Sequence, residues 1–132
     1  MDFAKIEFIT ALYASIAALL AVALAIRVSA TRGKQKVDLG DGGKQAMLCA
    51  IRAHGNAMEY IPITLILMLL LELRGSAHWF LHVAGITLIV SRLFHAQGLM
   101  QSAKLTPGRL VGSGLGWALI VVLALDNFFN FI

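Results

Sequence analysis

A chain of 132 residues that is 59% hydrophobic and only 14% charged, with a mean hydropathy of +0.82, excludes a water-soluble domain, for which about 45–50% apolar and about 25% charged is usual. The net charge of +4 at pH 7 does not indicate nucleic-acid binding, because Lys and Arg stand beside apolar runs instead of sharing one polar surface. Cys49 is the only cysteine, which excludes an intrachain disulfide and a cysteine metal cluster.

Residues 8–26 carry no charge. As a helix they span about 28 Å, enough to cross a hydrocarbon core of roughly 30 Å. The leader 1–7 is not net basic and the apolar run is too long for a signal peptide, so a transmembrane helix is expected. Ala11, Ala14, Ala18, Ala21 and Ala25 recur at three- and four-residue steps, a small-residue stripe suited to close helix packing. Arg27 is read as closing this helix. Residues 28–44 then form a polar loop with Arg32, Lys34, Lys36 and Lys44, turning at Gly40-Asp41-Gly42-Gly43.

A second span is expected at about 46–72. Arg52, Asn56 and Glu59, at i, i+4 and i+7, stack on one helical face. If the span ends near Leu71, Asn56 lies about 6 Å and Glu59 about 10 Å inside it. Charge at that depth is costly unless partnered or functional. Pro62 removes one backbone hydrogen bond and predicts a kink just beyond Glu59. His54 points off the Arg52/Asn56 face and reads as structural.

Residues 72–76 read as a short connection to a third span at about 77–99, where Trp79 suits an interfacial position. Arg92 and His95, at i and i+3, share a face near its far end. Pro107, Gly108 and Arg109 open a fourth span at about 108–130, with Gly112 and Gly116 as a Gly-x-x-x-Gly packing face and an aromatic tail over 126–132. The reading is an all-α, integral membrane four-helix bundle forming a single domain over 1–132. So short a chain leaves little room for an enclosed pocket in one subunit, so a site between subunits is expected.

Arg27, Arg32, Lys34, Lys36, Lys44, Lys104 and Arg109 lie at the side shared by the first and third loops, against Lys5 and Arg74 at the other. The positive-inside rule places those loops in the cytoplasm and both termini opposite. Arg27, Arg52, Asn56, Glu59, Arg92, His95 and Arg109 then converge on one membrane level, from all four helices. The set suits a mainly anionic ligand with one ammonium group. Other readings stay open residue by residue. Arg27 and Arg109 can be flanking anchors, His95 a hydrogen-bonded packing residue, and Glu59 with Arg92 a buried structural ion pair. No metal is expected, since His95 lacks a second ligand at suitable spacing, and Cys49 reads as inert.

Arg52-Ala53-His54-x-Asn56-x-Met58-Glu59 followed by Pro62, with Arg92-x-x-His95 and Pro107-Gly108-Arg109, resembles the signature of the MAPEG family, the membrane-associated proteins in eicosanoid and glutathione metabolism. The likeness covers nearly the whole chain and looks like the family's bacterial branch, whose members would lie in the inner membrane. It implies a homotrimer with glutathione as co-substrate, bound between neighbours in the cytoplasmic half. Arg27, Arg52, Asn56, Glu59, His95 and Arg109 would contact it. Arginines would grip the two carboxylates, Glu59 would take the ammonium, and Arg109 would favour the thiolate that attacks a lipophilic electrophile or reduces a hydroperoxide.

Three departures bear on the chemistry. Gly55 stands where the prostaglandin-synthase type has a second arginine, Leu99 where it has a tyrosine and Leu110 where it has a serine. They argue against specific prostaglandin synthesis, with Ser113 as an alternative source of a hydroxyl. The leading expectation is a glutathione transferase or peroxidase. The alternatives are a non-catalytic lipid-binding or scaffold member of the same fold, and a small multidrug exporter. The exporter reading suffers because such proteins usually place a lone glutamate in the first span, and this one has no acid.

Overall fold

In the computed structural model, residues 8–129 are described; the leader 1–7 and the predicted end of the fourth span at 130 lie outside them. Four helices follow one another, α1 (Ile9–Gln35), α2 (Gln45–Leu73), α3 (His78–Gln101) and α4 (Pro107–Phe129), with no strand among the described residues. Each is long and apolar enough to cross a membrane. The central pair is α2 and α3. Helices α1 and α4 each pack on both of them and not on each other.

Arg27 does not close α1. The helix continues to Gln35 because its last turns find a partner: Val28 packs against a small cluster of Val37 from the loop and Met47 and Ala50 from the start of α2. It stops where Lys36 adopts a left-handed conformation (φ 54°) and the Lys36 and Val37 N–H groups return to the Arg32 carbonyl. The first loop therefore shrinks to 36–44. Its turn uses Gly40, Gly42 and Gly43 at positive φ, as the glycine run predicts.

The expected connection 72–76 also shortens, since α2 runs through Leu73. Glu72 has a tertiary role that its sequence position conceals. Phe8, the N-cap of α1, offers no side-chain acceptor. The Glu72 carboxylate takes its place, accepting from the Ile9 N–H and, at 3.0 Å, from the Thr10 N–H. A negative group at open N–H donors and the positive end of a helix dipole is stabilising. Pro62 lies inside α2, which runs on to Leu73.

Glycine sets the closest approach of α4 to α3. A Cβ on Gly112 would stand 2.6 Å from the His95 nitrogen and the Ser91 carbonyl oxygen, so the Gly112/Gly116 face packs as its spacing predicts. The alanine stripe of α1 does not serve this way. Its buried positions are Ile9, Thr10, Tyr13, Ala17 and Leu24, while Ala11 and Ala18 are exposed. Tyr13 turns α1 toward α3, where its ring occupies the space a side chain on Gly85 would need.

Candidate functional site

Arg52, Asn56 and Glu59 share a face of α2, and the fold divides them. Asn56 is buried against α3. Arg52 and Glu59, with side chains 50% and 51% exposed, form an ion pair at 3.3 Å between Nη1 and Oε1. The Glu59–Arg92 pair, one of the readings left open, is not formed. Glu59 turns to the open face of α2, where Arg52 on the same helix reaches it, and Asn56 faces Arg92 instead.

Arg92 is 2% exposed, and a guanidinium so buried needs a partner for each of its donors. Here all the acceptors are neutral. Nη1 donates to Asn56 Oδ1, Nη2 to the Gly112 carbonyl at 3.0 Å and Nε to Ser91 Oγ at 3.2 Å. The Tyr60 ring lies against the cation, its centroid 5.0 Å from Cζ. Trp117 Nε1 donates to the Tyr60 hydroxyl at 3.1 Å, which ties α4 into the same group. Gly116 leaves room for it, since a Cβ there would meet Nη2 at 2.3 Å. Arg92 joins α2, α3 and α4, and each of its three guanidinium nitrogens has an acceptor.

Next to this joint lies a cavity of about 280 Å³, with Arg52, Asn56, His95 and Arg109 in its wall and Leu48, Cys49, Leu99 and Ala103 completing it. His95 is buried, and neither of its ring nitrogens bonds to another described residue. Arg109 is positioned by the start of α4. Its N–H bonds to Thr106 Oγ1 at 3.3 Å, just before Pro107, whose fixed φ and missing N–H suit a first helical position. Its Nη1 donates to the carbonyls of Ala103 and Lys104 at 2.9 and 3.0 Å, while its Nε is buried with no partner.

Four of the six residues expected to contact a ligand therefore line one cavity. Glu59 reaches the site only through its pair with Arg52. Arg27 does not join it. That residue lines a neighbouring cavity of about 450 Å³, which shares Cys49, Leu99 and Ala103 with the first. The separation follows from α1 packing on the far side of the central pair from α4. Leu110 is exposed and Ser113 is outside the wall, so neither bears on the cavity. His54, as expected, lines neither cavity. Sequence reasoning missed Cys49, although a signal existed: it stands three residues before Arg52, and extending that face by one turn would have included it.

A sequence model of the MAPEG family matches residues 10–129, a stretch that contains every residue of both cavities. The chain belongs to the MAPEG family. It is similar to the inner membrane protein YecN of Escherichia coli strain K12, at 39% identity over 119 residues, covering 90% of this chain and 89% of that protein. The YecN protein of Escherichia coli O6:H1 strain CFT073 matches to the same extent. The family membership agrees with the four helices able to span a membrane.

Proposed function

We propose that the cavity between α2, α3 and α4 binds glutathione, and that the protein is a glutathione transferase or peroxidase for small lipophilic electrophiles. The observation that carries this reading is the wall itself: Arg52, Asn56, His95 and Arg109 around one space with no carboxylate in its lining, and with Arg109 Nε buried without a partner among the described residues. Buried donors without partners are rare in folded proteins, and a ligand is one way to satisfy them. Glutathione presents two carboxylates for the arginines, and its ammonium would meet Glu59 only outside the wall, on the open face where Glu59 pairs with Arg52. Arg109, by its charge, favours thiolate over thiol. The thiolate sulfur then forms a C–S bond as the leaving group departs with its bonding pair. With a hydroperoxide, two glutathione thiols are oxidised to one disulfide while ROOH is reduced to alcohol and water.

The cavity end carries the excess of Lys and Arg, which orients it toward the cytoplasm and both termini away from it. A half-exposed Arg52–Glu59 pair within a helix able to span the membrane is costly against lipid. A second copy of the chain covering it relieves that cost and supports a homotrimer built around the site.

Titration of the purified protein with glutathione, alongside turnover of a chloronitrobenzene-type electrophile, tests the reading. Millimolar or tighter binding is expected, weakened about tenfold or more by Asn56→Ala, with Arg109→Ala lowering turnover more than binding. No binding at millimolar glutathione would sink it. Binding without turnover would favour the second reading, a non-catalytic member of the fold, for which Leu99 in the cavity wall and the two loop carbonyls held by Arg109 speak.

A further inference from the structure

The end of the bundle at the α2–α3 turn, away from the arginine-lined cavities, holds two adjoining openings. The first, of about 460 Å³, lies between the start of α3 and the last turns of α4, walled by Ser76, Ala77, Trp79, Phe80, Val122 and Asp126. The second, of about 430 Å³, is walled by Leu71, Arg74, Gly75 and Ser76, so Ser76 borders both. Their charges are opposite in sign and held at one corner. Arg74 Nη1 donates to the carbonyl of Asn127 at 2.9 Å, and Asn127 is the chain neighbour of Asp126. This corner lies where apolar sequence gives way to polar. Residues 60–71 of α2 and 110–125 of α4 carry no charge, and Glu72 and Asp126 end those runs. Trp79, 68% exposed in the first turn of α3, is a residue type that membrane–water boundaries favour.

Each opening suits one half of a zwitterion. In the first, Asp126 supplies a carboxylate, and the Trp79 and Phe80 rings meet edge to face with centroids 5.9 Å apart. Carboxylates and aromatic faces both attract an ammonium. A carboxylate has about four acceptor positions on its two oxygens, so a partner that Asp126 already holds leaves room for another. In the second, Arg74 fastens α4 through Nη1 alone, and the rest of its guanidinium fork suits a phosphate. Val122, half exposed on α4, and Phe80 carry apolar surface on from the charges. A soluble zwitterion would leave that surface uncovered, and a lipid with a purely anionic headgroup would set negative charge against Asp126. A phospholipid whose headgroup ends in an ammonium meets all three features.

We propose that this corner binds phosphatidylethanolamine, its ammonium on Asp126 and the Trp79 and Phe80 rings, its phosphate on Arg74 and its chains along Phe80 and Val122. The test is calorimetric titration of the full chain in neutral detergent micelles with three probes. These are short-chain phosphatidylethanolamine, phosphatidylglycerol of equal chain length, and glycerophosphoethanolamine, which has the headgroup without the chains. Phosphatidylethanolamine is expected to bind about tenfold or more tightly than phosphatidylglycerol, as one charge-assisted contact provides. Asp126→Asn removes that preference, and Trp79→Leu, which keeps an apolar side chain, reduces it about threefold. Arg74→Gln weakens both lipids and leaves their ratio unchanged. Should Asp126→Asn fail to fold by circular dichroism, the Trp79→Leu titration decides. Equal or absent binding of the two lipids, or an undiminished preference in the deciding variant, overturns the proposal. Competition by glycerophosphoethanolamine at concentrations matching the lipid assigns the corner to a soluble zwitterion and overturns it too. None of these residues lines the proposed glutathione cavity, so failure of either reading leaves the other standing.

Discussion

The two ends of the bundle use polar groups in opposite ways. At the end built around the α2–α3 turn, they fasten helices together. Glu72 caps α1, Arg74 donates to the Asn127 carbonyl at 2.9 Å, Asn127 Nδ2 donates to the Leu67 carbonyl at 3.1 Å, and the Tyr13 hydroxyl meets His82 Nδ1 at 3.0 Å. Thr10 Oγ1 is the exception, buried there without a partner. At the other end, Arg27 Nη1 and Arg109 Nε are buried beside cavities with no hydrogen-bond partner among the described residues. In a membrane no solvent stands by to satisfy a stray donor, so a polar side chain there either joins elements or awaits a ligand. Arg92 belongs to the first kind though it lies at the second end, and it holds Asn56 in place for the cavity beside it.

The contrast can be broken most sharply at Arg92. Arg92→Ala leaves Asn56 and the Gly112 carbonyl without their donor and empties a fully buried site, so a loss of about 3 kcal/mol or more is expected. Reversible unfolding in mixed micelles measures it, and wild-type stability would show that the joint is not structural. Gly112→Ala comes next. Its methyl group meets backbone atoms of His95 and Ser91, which cannot swing aside, and about 1–3 kcal/mol of destabilisation follows.

At the fastened end, Glu72→Ala removes the acceptor for two α1 N–H groups and is expected to cost about 1 kcal/mol. Faster hydrogen exchange at the start of α1 should accompany it; unchanged exchange would show that Glu72 does not cap the helix. The smallest effect is expected at Arg32→Ala. Among the described residues that side chain hydrogen-bonds only the Gly40 carbonyl, at 2.8 Å on an exposed loop. Its loss should stay within about 0.5 kcal/mol in the same unfolding assay, and a larger value would give the first loop a structural weight it does not show here.

Much of the fold was legible beforehand, because spanning a bilayer demands long apolar helices and leaves few alternatives. The Arg52/Asn56/Glu59 spacing, Arg92-x-x-His95 and Gly112-x-x-x-Gly116 each marked residues that matter. The errors share one cause. In a soluble helix the apolar stripe shows which way it faces, but here lipid and core are equally apolar and the stripe disappears. So the buried face of α1 was placed on the alanines instead of on Tyr13, Ala17 and Leu24. Glu59 was matched to Arg92 by depth alone, when rotation about α2 sends Asn56 inward and Glu59 outward. Within one subunit Arg27 and Arg109 line different cavities, which leaves the expected contact between subunits untouched.

By itself the sequence determined the number and type of helices, the family and the level at which polar groups gather. These depend on composition, periodicity and rise along a helix, which are local properties of the chain. Only the tertiary structure decided which polar groups meet. It made Arg92 a neutral-partnered joint, set Arg52, Asn56, His95 and Arg109 around one cavity, and left Arg27 in another. The physical reason is rotation: each residue turns a helix by about 100°, so groups at one depth can face opposite ways. Close packing at Gly85, Gly112 and Gly116 locks α1 and α4 in one of those orientations against α3.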